Sequence, residues 1–464
     1  MHHHPILTLL PLLLATACQP PSDSGDSAPP LPDPGPWLLD DQGRAVIHRG
    51  MNVTGAAKWA DDYMPDVSDA SLATMADAGV TFARVLTFWD AVEPIEGVYD
   101  QEYLALLDAF LTRMDDAGIA VMLDMHQDVW GVGFGSDGAP LWSCDQAHYD
   151  DFESPGGSWY LAYLSAEVQA CFDDFWADPA LQEQFAQAWV QLAILGAQHP
   201  SVVGYDLFNE PFWGTSNQEE FEEVLLPAFY ERVISGIRSV DDERCNYGPH
   251  ARPCRFIAVE PSTHINILQS RLIFPDDDGL VFAPHFYPTY AEEGTGFDGD
   301  LSNEIDHMSG IIEHGQDEGI PVILGEFGIF SDHGNEHDYV RGMIDLFEGH
   351  VGSSSYWSWD PNDSFGVVAS DDSPGPMLGA WSRPWLHRIP GEELEIEPLD
   401  DGMRARFVAA EGDTMVAVVP EACADGVEVE GATVLASDGV FRTLQPDSDG
   451  AIEVTIRGCT GRSR

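Results

Sequence analysis

From about residue 37 to 387, short apolar runs alternate with longer stretches in which apolar residues recur every three or four positions. That switching of period is the mark of repeated β-α units around a parallel sheet. Eight runs read as strands: 46–52 (VIHRGMN), 80–86 (VTFARVL), 119–125 (IAVMLDM), 202–208 (VVGYDLF), 255–260 (RFIAVE), 280–285 (LVFAPH), 320–326 (IPVILGE) and 354–358 (SSYWS). The spacing between them predicts helices over 68–78, 100–117, 180–198, 219–239, 301–318 and 336–349. Eight such units fit an α/β protein built as a closed (β/α)8 TIM barrel. A doubly wound open sheet would need a phosphate-binding glycine turn after its first strand, and residues 52–57 (NVTGAA) are not one. Polar residues end many different strands: Asn52, Arg84, His126, Asn209, Glu210, His285, Glu326 and Trp357. Strand ends are where such a barrel carries its chemistry.

Loop 127–178 is long and aromatic, with Trp130, Trp142, Trp159 and Trp176, so it is expected to be ordered and to belong to a site. Beyond about residue 388 the pattern becomes simple alternation, in 403–408, 415–419 and 452–456, as in a small antiparallel β-sandwich. Residues 37–387 are therefore expected to form the barrel and 388–464 the sandwich domain.

The apolar stretch 6–15, followed by Thr16 and Ala17 directly before Cys18, reads as an export signal over 1–18 that is too short to span a bilayer stably. Residues 14–18 (LATAC) resemble a bacterial lipoprotein signal, in which the cysteine becomes the lipidated first residue. Residues 19–36, rich in Pro, Ser, Asp and Gly, then serve as a flexible linker. The expectation is an exported monomer, anchored at the cell envelope through Cys18 or secreted, meeting membrane only through that anchor and its substrate. Six further cysteines fall into local pairs, Cys144 with Cys171, Cys245 with Cys254 and Cys423 with Cys459, which an exported chain is expected to join as disulfides. No zinc-like spacing accompanies them, and no metal or cofactor is expected. A net charge of -59 argues strongly against a nucleic-acid partner and against adhesion to anionic membranes.

Two carboxylates stand out. Glu210 follows strand 202–208 inside Asn209-Glu210-Pro211, and Glu326 ends 322–326 (VILGE). An unpaired buried carboxylate is costly, so a Glu directly after a buried strand is expected to have a purpose. Hydrolysis of a glycoside with retention needs just such a pair, one carboxyl donating a proton to the leaving oxygen and one attacking the anomeric carbon.

Asn209-Glu210-Pro211, Glu326, Arg84, His126, His285-Phe286-Tyr287 and Trp357 together resemble glycoside hydrolase family 5, over most of residues 45–387. Within it, 124–130 (DMHQDVW), 205–212 (YDLFNEPF), 325–328 (GEFG) and 383–391 (RPWLHRIPG) are similar to the endoglycoceramidase branch. The resemblance implies Glu210 as acid/base, Glu326 as nucleophile, Asn209 on the sugar 2-hydroxyl and Tyr287 near the nucleophile. Arg84 would hold Glu326 ionised, as a cationic neighbour lowers a carboxyl pKa. His126 and His285 are expected as neutral hydrogen-bonding residues rather than metal ligands.

Lys58 is the only lysine in the chain, a compact point charge in the first β-α loop that an arginine fork does not reproduce. The resemblance makes Lys58 and Asp128 sugar-binding, and Trp357, an aromatic face at the end of the eighth strand, is expected as the platform under the sugar next to the scissile bond. Trp130, Trp142, Trp159, Trp176, Phe212, Trp213, Phe330 and Trp359 are candidates for an apolar wall around a lipid aglycone. The activity so implied is cleavage of the β-bond between oligosaccharide and ceramide in a glycosphingolipid. The alternatives are a glucosylceramidase, a steryl-β-glucosidase or galactosyl-specific relative, a cellulase-like endo-β-glucanase, or an inactive glycan- or lipid-binding lipoprotein.

Overall fold

The apolar runs form eight parallel strands in this computed structural model: β1 (Arg49–Val53), β2 (Phe82–Phe88), β3 (Ala120–His126), β4 (Val202–Asp206), β5 (Phe256–Val259), β6 (Leu280–Phe282), β7 (Ile323–Leu324) and β8 (Ser353–Tyr356). The residues described are 35–53, 55–242, 244–245, 252–253, 255–330, 334–361, 364–390 and 392–459. Cys18, the signal and nearly all of the linker, and Cys254 of the Cys245–Cys254 pair lie outside them.

The strands run β7-β8-β1-β2-β3-β4-β5-β6 around the sheet. A bridge between Phe282 and Val322 and a short parallel pair, His285–Phe286 with Glu326–Phe327, close the circle between β6 and β7. Every residue of β2 is buried, as expected for a strand covered on both sides.

The surrounding helices are α1 (Asp69–Asp77), α2 (Gln101–Ala117), α3 (Ala166–Ala177), α4 (Pro179–Gly196), α5 (Leu226–Arg238), α6 (Ser302–Asp317) and α7 (Glu336–Gly349). Their ends follow local chemistry. Asp100 caps α2 by accepting from the amides of Glu102 and Tyr103, and Gly118 ends it in the left-handed conformation at φ 67°. On its inner face Tyr103, Leu107, Phe110, Leu111 and Met114 are buried at helical spacing. Between β5 and β6 a single 3-10 turn, Thr263–Asn266, replaces the usual helix and leaves the chain close to the barrel mouth.

The first strand differs from expectation. Residues 46–52 are not one strand: Ala45–Val46 pairs antiparallel with β9 (Trp385–Ile389), and only Arg49–Val53 enters the barrel. The chain changes sheets near Ile47 and His48, which an apolar pattern cannot register because both sheets bury their strands. Likewise 280–285 and 320–326 are each interrupted, so that His285 and Glu326 sit in the short outer pair.

The remaining strands are β10 (Glu392–Leu399), β11 (Gly402–Ala409), β12 (Met415–Val418), β13 (Glu428–Glu430), β14 (Ala432–Asp438), β15 (Phe441–Pro446) and β16 (Gly450–Arg457). One sheet has the order Ala45–Val46, β9, β12, β15, β14, and the other β10, β11, β16, β13. Leu386, Met403, Phe407, Met415, Leu444 and Ile456 fill the core between them. Thus the antiparallel sandwich recruits β9, which begins before residue 388, and a strand that precedes the barrel. Disulfides join Cys144 to Cys171 and Cys423 to Cys459, with Cα separations of 5.4 and 5.2 Å.

Candidate active site

Arg84 on β2 is the hub of the barrel mouth. Its guanidinium meets Glu326 at 2.6 Å, Asp206 at 2.7 Å, Asp124 at 2.9 Å and Glu260 at 3.1 Å, all buried. It also donates to the amide oxygens of Asn52 at 3.0 Å and Asn209 at 2.9 Å. Asn209 in turn donates to the Gln127 carbonyl at 3.0 Å.

Glu210 and Glu326 come together here. One carboxylate oxygen of each and a ring nitrogen of His285 all lie within 4.8 Å of one another. The Tyr287 hydroxyl donates to Glu326 at 2.9 Å, while the other Glu326 oxygen takes the Arg84 hydrogen bond. Glu210 pairs with His285 Nδ1 at 3.1 Å and accepts from the Thr263 hydroxyl at 3.3 Å. Its backbone sits at φ 44°, a region that non-glycine residues rarely occupy. Gln127 holds it there by donating to the carbonyls of Asn209 and Glu210 at 3.0 and 3.1 Å, and Glu260 accepts from the Glu210 amide at 2.8 Å.

Beside this pair stands a second group. Lys58 contacts Asp128 at 2.5 Å and lies 4.4 Å from the centre of the Trp357 ring. His126 stacks against Trp357 with ring centres 5.8 Å apart, and its Nδ1 is 2.8 Å from Asp124. The catalytic and sugar-binding residues expected from the sequence therefore lie in one constellation.

The electrostatics follow from burial working against these partners. Burial would raise the Asp128 carboxyl, but Lys58 outweighs it and holds Asp128 well below the ordinary range. Burial, reinforced by Lys58, pushes His126 well below an ordinary histidine and keeps it neutral. His285 departs from the neutral state expected of it. Burial opposes its charge, yet Glu260 and Glu326 overcome that and hold its pKa well above an ordinary imidazole's. Burial raises the Glu326 carboxyl, and His285 and Arg84 pull it back without cancelling the rise. Arg84 thus shares with His285 the part of favouring the ionised Glu326.

The site opens into a cleft of about 1430 Å³ with two unlike sides. The expected tryptophan wall is mostly absent from it. Trp130, Trp176 and Trp359 are buried in the core, Trp142 donates to the Glu93 carbonyl, and Trp213 stacks on His264 at 3.4 Å. Phe330 packs on Phe365. Of the eight, Trp159 and Phe212 line the cleft. The apolar side is built instead with Trp59, Phe134, Phe152, Leu161, Leu164 and Ile267, of which Trp59 and Ile267 are 73% and 76% exposed at the rim. Single surface aliphatics such as Ile267 carry no periodic signal, so they were not legible in the sequence.

Glu260, Asp124, Asp206, Gln127, Asp137 and Glu292 also belong to the site and were not singled out. The signal for Glu260 was present: it ends the run 255–260 just as Glu210 and Glu326 follow theirs. Burial pushes its pKa up to about 8, with His285 pulling the other way. Glu292, partly buried in the cleft wall, is pushed to about 7 by burial and by the charges of Glu210 and Asp128.

Comparison with known proteins agrees with this geometry. Endo-glycoceramidase II from Rhodococcus sp. superposes with a TM-score of 0.80 at 31% identity, over 91% of this chain and 99% of that one. Its complex with ganglioside GM3 gives a TM-score of 0.81 at 30% identity over the same shares. Endoglycoceramidase I of Rhodococcus hoagii is 28% identical over 264 residues, 54% of this chain and 52% of that protein. A glucosylceramidase of Cryptococcus neoformans var. grubii is 34% identical over 134 residues, 25% of this chain and 18% of that protein. The chain spans about half the length, or less, of the curated relatives it matches. Residues 39–363 match the model for cellulase, glycosyl hydrolase family 5. The chain belongs to glycosyl hydrolase family 5.

Proposed function

We propose that this glycoside hydrolase is retaining and cuts the β-linkage between an oligosaccharide and ceramide, releasing the glycan whole. The observation that carries the reading is the approach of Glu210 and Glu326 to within 4.8 Å at the strand ends of one barrel. Retention requires carboxyls about 5 to 5.5 Å apart, whereas an inverting pair stands wider to admit a water. Glu326 attacks the anomeric carbon while Glu210 protonates the departing oxygen, and Glu210 then takes a proton from the water that releases the sugar. Arg84 and Tyr287 fix the nucleophile's two oxygens, so that it faces the carbon in one orientation. The sugar lies over Trp357, with Asn209 on its 2-hydroxyl and with Lys58, Asp128 and His126 along its edge. The apolar half of the cleft receives the ceramide.

The glucosylceramidase relative supports a second reading, in which the pocket takes one glucose. Incubation with a ganglioside, lactosylceramide and glucosylceramide, followed by mass analysis of the released sugar, decides between them. Intact oligosaccharide from the first two, with little glucose from the third, is the expected result. Glucose release alone would overturn the endo reading, and preference for steryl glucosides, galactosylceramide or cellulose would redirect it. Absence of turnover on every β-glycoside would leave only a binding role. We further propose export and lipidation at Cys18, which the mass of the mature N-terminus tests.

A further inference from the structure

We propose that Asp137 is a further sugar-recognition residue, hydrogen-bonding a hydroxyl of the sugar over Trp357 on the side remote from the scissile bond. The proposal rests on the glycosidase reading above and adds a residue that neither the sequence motifs nor that reading requires.

Asp137 lines the cleft, yet it is 1% exposed, and neither of its carboxylate oxygens has a hydrogen-bond partner among the described residues. Buried carboxyls ordinarily satisfy both oxygens, because an unsatisfied one weakens the empty protein. One Asp137 oxygen, one Asp128 oxygen and a ring nitrogen of His126 lie within 4.8 Å of one another. His126, Asp128 and Asp137 line the same cleft as Glu210 and Glu326, and His126 stacks on Trp357. A sugar on Trp357 with its anomeric carbon at Glu326 therefore turns its far edge toward Asp137. The Lys58 ammonium already supplies the positive charge of this corner, 2.5 Å from Asp128. Burial, with Asp128 and Glu326 adding to it, holds the Asp137 carboxyl well above the ordinary range even against Lys58. A neutral carboxyl both donates and accepts, which suits a sugar hydroxyl.

The backbone that carries Asp137 is also held in place. The Asp128 amide donates to the Asp137 carbonyl at 3.0 Å, the Ala139 amide to the Trp130 carbonyl at 2.9 Å, and the Asp90 amide to the Gly138 carbonyl at 2.8 Å. A group so fixed at a pocket wall, with no partner of its own, is one that a ligand completes.

The test uses the full chain with Asp137→Ala and Asp137→Asn, assayed on an aryl β-glucoside and its 3-, 4- and 6-deoxy analogues. Asp137→Ala should lower kcat/KM on the parent glycoside by on the order of 30-fold. Against one deoxy analogue the same substitution should cost less than about threefold, since the wild type has already lost that hydrogen bond there. Asp137→Asn should retain more activity than Asp137→Ala, and neither variant should melt below the wild type, because no partner within the protein is lost. An equal loss on all four glycosides, a lowered melting temperature in both variants, or unchanged activity in Asp137→Ala would overturn the proposal alone. A wild type inert toward every glycoside would overturn it together with the function on which it rests.

Discussion

At the scale of single residues the proposed mechanism gives the two carboxylates different work, and removing Glu210 tests it. Glu210→Ala should lower kcat on natural glycolipid by about 10²- to 10⁴-fold, the range for general acid-base catalysis, and by less on an aryl glycoside whose leaving group needs no proton. Azide should then restore turnover and give the β-glycosyl azide, because the glycosyl-enzyme on Glu326 still forms. An α-configured product, read by NMR, would contradict the assignment. Glu260 makes a second prediction, on pH. Its pKa is near 8 in the folded chain against an ordinary value of 4.5, so the folded state holds the extra proton between those limits. Stability contributed by that group is full at the acid end and declines as pH rises from about 4.5 to about 8. Glu260→Gln has no such slope. The stability of the wild type relative to the variant should therefore fall steadily over this window in denaturant melts, and a constant difference would refute the shift. Glu210 and Glu326 could be named from the sequence because each follows a buried apolar run. The raised pKa of His285 could not, since it depends on Glu260 arriving 3.2 Å away from a different strand.

At the scale of elements, periodicity located the strands well where the chain stays in one sheet and poorly where it changes partner. Runs 80–86 and 119–125 are nearly the observed β2 and β3, whereas 46–52 merges pieces of the sandwich and the barrel. The hairpin carrying Asp128 and Asp137 was invisible for another reason: glycines rather than apolar spacing define it. Gly138 sits at φ 118°, and a Cβ there would come 2.4 Å from the Cβ of Gln127, the side chain that holds the Glu210 turn. Gly118, at φ 67° on the end of α2, has open space instead. Gly118→Ala should thus cost only the left-handed conformation, about 1 kcal/mol, and leave kcat/KM unchanged. Gly138→Ala should cost about 2 to 4 kcal/mol through strain plus clash and lower kcat/KM at least tenfold. Equal destabilisation of the two variants would show that the hairpin yields freely and that its rigidity has no part in placing Gln127 and Asp137.

At the scale of the whole molecule, the sandwich is joined to the barrel by buried charge as well as by chain. Arg49, which opens β1, pairs with Glu348 at the end of α7 at 2.5 Å and donates to the carbonyls of Trp381 and Arg383 at 3.0 and 3.1 Å. Arg383 shares the same carboxylate at 3.0 Å, and the Trp385 ring of β9 lies 4.2 Å from the Arg49 guanidinium. Barrel strand, barrel helix and the segment that leads into β9 thus meet on one carboxylate. Removing it leaves the buried Arg49 guanidinium with backbone carbonyls alone and Arg383 with Asp345 as its remaining carboxylate, a loss of about 3 to 5 kcal/mol for a broken buried pair. Ala45–Val46 adds a second tie, since a strand of the sandwich sheet is supplied from the N-terminal side of the barrel. Independent unfolding would require tearing that strand from β9 while the barrel stayed closed. The expected outcome is one calorimetric transition for the whole chain, with Glu348→Gln lowering it as a unit. Were the variant instead to split the transition in two, with activity surviving the first, the sandwich would be a passenger on an autonomous barrel. A fall of both together, with activity lost at the same temperature, is what a shared foundation under β1, α7 and β9 demands.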